Sequence, residues 1–237
     1  MKRIRNLTVT DDIPGPNPLD SRLVGVYCIY DGQPAVIYEE RWFESERGGE
    51  PRSNVLVLHE WDGRIGQRGR ISAISLENKV GEFIPIEPGT EASRQIAGHL
   101  LSHIALKLGF LTEKRLQGYS HSHPLIGVPC YFKEMLALPF GILKDTSCDD
   151  AESESYVPVE SGSRIAFFAY EQDFFDKEKM NVTIRVDSAD NTALMPIMSD
   201  TMHARHAFNT LLTALDERLD EQESPKPVEK VGQVATS

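Results

Sequence analysis

The 237-residue sequence predicts an α+β fold: a mixed β-sheet packed with a central helix and a C-terminal helix. Three observations carry that expectation. Short apolar runs bounded by turn residues recur on both sides of residues 90–108. The stretch 90–108 itself carries an apolar stripe at helical spacing, and a second such stripe runs through residues 208–219.

Taken in order, residues 1–20 read as an extended N-terminal arm, because Pro14, Gly15, Pro16 and Pro18 disfavour helix and leave few backbone donors. A single domain follows over 21–220. Strands are expected at 24–30, 35–43, 55–60, 71–76 and 82–86, with Asp31-Gly32-Gln33 as a hairpin turn between the first two. Residues 44–53 are polar and glycine-bearing, a loop. Pro88-Gly89-Thr90 opens the central helix. Its inner face holds Ile96, Leu100, Ile104 and Leu108, with Ala97, Leu101 and Ala105 beside them, and Gly109 stops it. A strand is expected over 116–123, ended by Pro124, which removes a backbone donor and fixes φ. Residues 144–163 form an acidic loop rich in Ser, Asp and Glu, and 164–170 and 182–186 are two further strands. Ser199-Asp200 caps a last helix with Phe208, Leu211, Leu212, Leu215 and Leu219 inward, and 221–237 is a disordered tail.

The formal net charge is −11, and no face gathers Lys and Arg, so direct nucleic-acid binding is disfavoured. Cys28, Cys130 and Cys148 form no C-x-x-C pair, which argues against a disulfide framework and a cysteine zinc knuckle. No apolar run approaches the ~18 residues of a membrane span, and no signal-type h-region follows the N-terminus. A cytoplasmic protein with no membrane contact is the expectation.

Chemistry concentrates in Gly118-Tyr119-Ser120-His121-Ser122-His123-Pro124. Two histidines one residue apart on an extended segment share a side, so His121 and His123 can offer two imidazoles to one metal. Ser122 points the other way. A catalytic zinc needs a third ligand. Glu134, with ten residues intervening after His123 and expected in a first helical turn after a loop, supplies a carboxylate.

This pattern resembles the JAB/MPN (JAMM) metalloprotease family, whose signature is an upstream Glu, the heptad Gly-Trp-x-His-Ser-His-Pro, ten residues and an Asp. Gly118, Tyr119, His121, Ser122, His123 and Pro124 carry the likeness, with Tyr119 for the usual Trp. The resemblance implies a compact fold with cytidine-deaminase-like layering over residues 50–190. It also implies a zinc-dependent peptidase or isopeptidase acting on a protein or peptide substrate, ubiquitin-like tails included. His121, His123 and Glu134 would hold zinc, Glu60 would be the general base, and Ser122 and Tyr131 would contribute beside them. Glu39 and Glu40 are alternatives to Glu60.

Two departures open a second reading. Glu134 stands where the family has Asp, and one extra methylene moves the carboxylate by about 1.5 Å. Tyr131 stands where the family has a Ser that holds the oxyanion, and its phenol reaches from much farther out. The alternative is a catalytically inactive JAB/MPN-like scaffold or interaction module in a larger assembly.

Other histidines read as structural. His99 and His103 are four apart on the central helix, but Leu100 stands where H-E-x-x-H requires Glu. His203 and His206 lack a carboxylate at a useful offset, and His59 beside Glu60 reads as an opposite-facing strand residue. Cys130 has no base to make it a nucleophile. Neither a cupin spacing nor a phosphate-cradling glycine pattern is present.

Overall fold

The computed structural model describes residues 23–30, 32–43, 52–59, 71–75, 83–143, 162–172, 180–189, 192–199 and 201–223. The expected arm, the acidic segment up to residue 161, Glu60 and residues 224–237 of the expected tail lie outside them, while residues 221–223, expected in that tail, are the last turn of the C-terminal helix. The chain is α+β, with two antiparallel sheets and a long C-terminal helix. A mixed sheet was the expectation; every pairing described is antiparallel.

The first sheet has the order β4-β3-β2-β1-β5, built from β1 (Tyr27–Tyr30), β2 (Gln33–Phe43), β3 (Arg52–His59), β4 (Ile71–Ser75) and β5 (Phe83–Pro85). Tyr30 pairs with Gln33 across the expected turn, and Gly32 takes the positive φ that a two-residue hairpin loop demands. Glu39 and Glu40 follow a bulge in β2 and pair with Leu56 and Val55.

Helix α1 (Glu91–Lys107) begins where Thr90 caps it, its hydroxyl accepting from Ser93 N, and ends before Gly109 at φ 72°. Beyond it the expectation for 116–123 fails. A short helix α2 (Glu113–Leu116) occupies the start, and the strand β6 is only Tyr119–Ser120. Thr112 causes this: its side chain accepts from Arg115 N and turns the chain into one more helical turn.

The second sheet runs β10-β9-β8-β7-β11, with β6 pairing β8 off that path. Its strands are β7 (Cys130–Phe132), β8 (Met135–Leu143), β9 (Arg164–Gln172), β10 (Met180–Ser188) and β11 (Leu194–Pro196). β9 and β10 match the expected strands with longer ends. β7, β8 and β11 were not expected: β8 is a nearly continuous apolar run buried on both faces, which has no period-two signature.

The last helix, α3 (Met202–Glu223), opens at Thr201, whose hydroxyl accepts from Ala204 N; of the expected Ser199-Asp200 cap, Asp200 lies outside the described residues. Helices α1 and α3 each touch strands of both sheets. Leu100, Leu101, Ile104, Leu138, Phe140, Phe168, Phe208, Leu211 and Leu215 form the central core there. No helix of the described residues is long and apolar enough to cross a membrane.

The β7–β8 hairpin decides where Glu134 sits. Phe132 pairs with Met135, so Lys133 and Glu134 are the two loop residues, and Lys133 takes φ 57° with no glycine to ease it. Replacing Lys133 by Gly should relieve about 1 kcal/mol of left-handed strain, offset by about 0.5 kcal/mol for the lost cation–π contact with Phe132. Urea unfolding should therefore find Lys133→Gly equal to or slightly more stable than the wild type.

Candidate metal centre

His121 and His123 lie just past the end of β6, where the chain leaves the sheet and turns. Alternation persists through the first of these positions. Ser120 and Ser122 face each other with their hydroxyls 3.0 Å apart, which puts His121 on the opposite side, toward α1. There its ring lies on Gly98. A Cβ at position 98 would overlap the imidazole, so only glycine admits it. Nε2 of His121 stands 3.3 Å from the hydroxyl of Ser102, one turn further along α1 and fully buried.

His123 is engaged differently. Its Nδ1 accepts the backbone N–H of Leu125 at 3.2 Å, closing a turn in which Ile126 N donates to the His123 carbonyl. The loop that follows is tied down throughout. Gly127 N donates to Pro139 O, the Tyr27 hydroxyl donates to Gly127 O at 3.2 Å, and Gly127 at φ 75° packs against Ala97 and the Tyr27 ring. Tyr27 itself is buried edge-on to Phe208 of α3, which couples the loop to both helices.

Burial favours the neutral form of both imidazoles. His121 is driven below its ordinary pKa of 6.5 by burial first, then by the nearby His99 and His103; His123 is lowered by burial alone. A neutral imidazole is the protonation state a metal requires.

The remaining expected residues are dispersed. Glu134 is exposed at the tip of the β7–β8 hairpin, not in a helical turn. The change arises because Cys130–Phe132 is a strand paired with Met135–Ala137, and the carboxylate is spent on its turn. Tyr131 faces α3: its hydroxyl is 2.5 Å from Nε2 of His203, in a small cluster with Leu136, Ile197, Ala204 and Ala207. Ser122 is exposed and bonded to Ser120. Among the described residues no three His, Cys, Asp or Glu side chains are grouped to hold a metal, so His121, His123 and Glu134 as placed do not make a three-donor site. Cys130 is buried, donates to Val128 O and is pushed up to about 12 by burial, so it remains a thiol and is no nucleophile.

Gly98 and Ser102 are the positions that sequence reasoning passed over. A glycine inside a strong helical stripe was the available signal, since such a glycine costs helix stability and usually marks close packing. With the geometry assembled, likeness to known proteins adds nothing further: no protein-family model matches the chain, and no curated protein or solved structure matches it.

The seat of His121 has two measurable consequences. In an open helix Gly98→Ala would add roughly 0.5–1 kcal/mol, whereas overlap with the imidazole should reverse the sign to a loss of about 1–3 kcal/mol; chemical denaturation reads the difference. The lowered pKa of His121 also fixes a pH dependence. Its contribution to stability is fully present above the ordinary value of 6.5 and is lost as pH falls from there through the folded-state value, because the unfolded chain then binds the extra proton. Unfolding midpoints measured from pH 8 down to 5 should decline less steeply for His121→Gln than for the wild type.

Proposed function

We propose that this chain is a JAB/MPN-like domain serving as a non-catalytic interaction module in a larger assembly. The observation that carries the reading is the position of Glu134, exposed on a two-residue hairpin tip while His121 turns inward onto α1. Two further placements support it. Tyr131, at the oxyanion position of the resemblance, is committed to His203, and the Nδ1 of His123 is committed to its own turn. The partner fitting the resemblance is a protein or peptide tail of ubiquitin-like type. The net charge of −11 argues against nucleic acid in that role. The free, buried thiols of Cys28 and Cys130 suit a reducing cytoplasm.

A second reading, a zinc-dependent JAMM-type peptidase, is favoured by burial of both heptad histidines, which lowers their pKa and favours the neutral form that a metal binds. In that reading His121, His123 and Glu134 would bind the zinc and Glu60 would act as base. A zinc there would polarise a scissile carbonyl and activate water.

Hydrolysis of an isopeptide-linked ubiquitin-like conjugate separates the two. The interaction-module reading expects wild type, His123→Ala and Glu134→Gln to be indistinguishable in turnover, in bound zinc and, within about 0.5 kcal/mol, in the stability of Glu134→Gln. Turnover in the wild type that disappears in His123→Ala and Glu134→Gln would replace it with the peptidase.

A further inference from the structure

The outer strands of the two sheets are not protected alike. β5 and β11 have three residues each and end in proline, Pro85 and Pro196, which offers no N–H to a further strand. On β11 the closure is complete for donors. Ile197 N bonds Pro129 O in step with the β7 ladder, so Leu194 and Pro196 face outward, and the Leu194 N–H is given to the Thr192 hydroxyl. β10 has neither safeguard. It runs nine residues against β9 with no proline and no bulge, and among the described residues no strand pairs its other edge.

Register decides which groups β10 presents there. Ala189 N donates to Ser163 O in step with the β9 ladder, so odd-numbered residues turn N–H and C=O toward β9 and even-numbered ones turn them away. At Val182 the edge is closed: its N–H is given to the Asn181 side chain at 2.9 Å, which also accepts from Arg218 of α3. The open stretch is Ile184, Val186 and Ser188, centred on Val186, an apolar residue that is 47% exposed.

The geometry points to this edge as a self-pairing interface, on which a second copy of the chain lays its own β10 antiparallel, with Val186 meeting the partner's Val186 on the two-fold axis. Backbone bonds then join Ile184 to the partner's Ser188, Val186 to the partner's Val186 and Ser188 to the partner's Ile184. Charge selects this register. It sets Arg185 directly opposite the partner's Asp187, and the two-fold axis repeats the pair, so opposite charges meet where cross-strand side chains lie closest. Both groups are already held on that face of the sheet, Arg185 by its ion pair with Glu171 and Asp187 by accepting from the Thr192 hydroxyl and Ala193 N. Centring the pair on Arg185 would set two guanidinium groups against each other. Centring it on Ile184 would need the Val182 N–H that Asn181 holds. The interface uses no residue of 118–134 and is independent of the choice between interaction module and peptidase.

Sedimentation velocity of the full-length chain over a concentration series tests this, with amide hydrogen exchange read by NMR at the same concentrations. The expected result is a reversible dimer in which the Ile184, Val186 and Ser188 amides become protected as concentration rises. Val186→Lys, which places two ammonium groups together on the axis, should weaken the dimer about tenfold or more. Ser188→Pro removes an outward donor without touching the β9 ladder and should act in the same direction. Both positions are exposed, so the circular dichroism of the dilute variants should match the wild type. A chain that stays monomeric throughout the series, or a dimer whose affinity survives both substitutions, overturns the interface. Where neither variant folds, the wild-type amides decide: a dimer that leaves exchange at residues 184, 186 and 188 unchanged overturns it equally.

Discussion

Everything around the histidine pair depends on how closely one segment approaches one helix. Ala97 and Gly98 are the smallest side chains available, and they sit side by side on α1 where two pieces of chain come in. Gly127 lies against Ala97, and the ring of His121 lies on Gly98. Larger residues at either position would push the 121–127 segment off the helix. The turn of His123, the Tyr27–Gly127 bond and the β6–β8 pairing would then lose their common support. The chain accepts a glycine inside a helix, at a cost of about 1 kcal/mol, and gains a fixed position for an imidazole in return.

That position sets the chemistry. An imidazole pressed on a helix backbone, with its Nε2 at a buried hydroxyl, is desolvated and neutral, and the neighbouring His99 and His103 add to the effect. The carboxylate and phenol that the family pattern would bring to such a group are directed elsewhere by ordinary strand pairing. Phe132 pairs with Met135, which strands Glu134 at the tip, and Tyr131 alternates toward α3. Register, not residue identity, separates these groups from the histidines.

Much of the architecture was legible in residue patterns. The apolar stripe of α1 with Thr90 before it and Gly109 after it, the hairpin at Gly32, and the strands β1 to β5, β9 and β10 all follow from period and turn chemistry. What escaped has physical reasons. β8 is buried on both faces, so its sequence lacks alternation. β6 is too short to carry any period, and Thr112 diverted the preceding residues into α2. Of the site, the two histidines were legible because their spacing is local. Their partners Gly98 and Ser102 were not, since nothing in residues 118–124 says which helix face they will meet.

The most direct measurement is long-range ¹H–¹⁵N NMR of the histidine rings as a function of pH, which reads tautomer and protonation ring by ring. His121 seated on α1 should titrate below its ordinary pKa of 6.5, and His123 should show the Nε2–H tautomer while its Nδ1 accepts from Leu125. A His121 that titrates near 6.5 with no tautomer preference, like a solvent-exposed imidazole, would contradict the account: the ring would not be on the helix, and the separation of His121 from Glu134 would lose its basis.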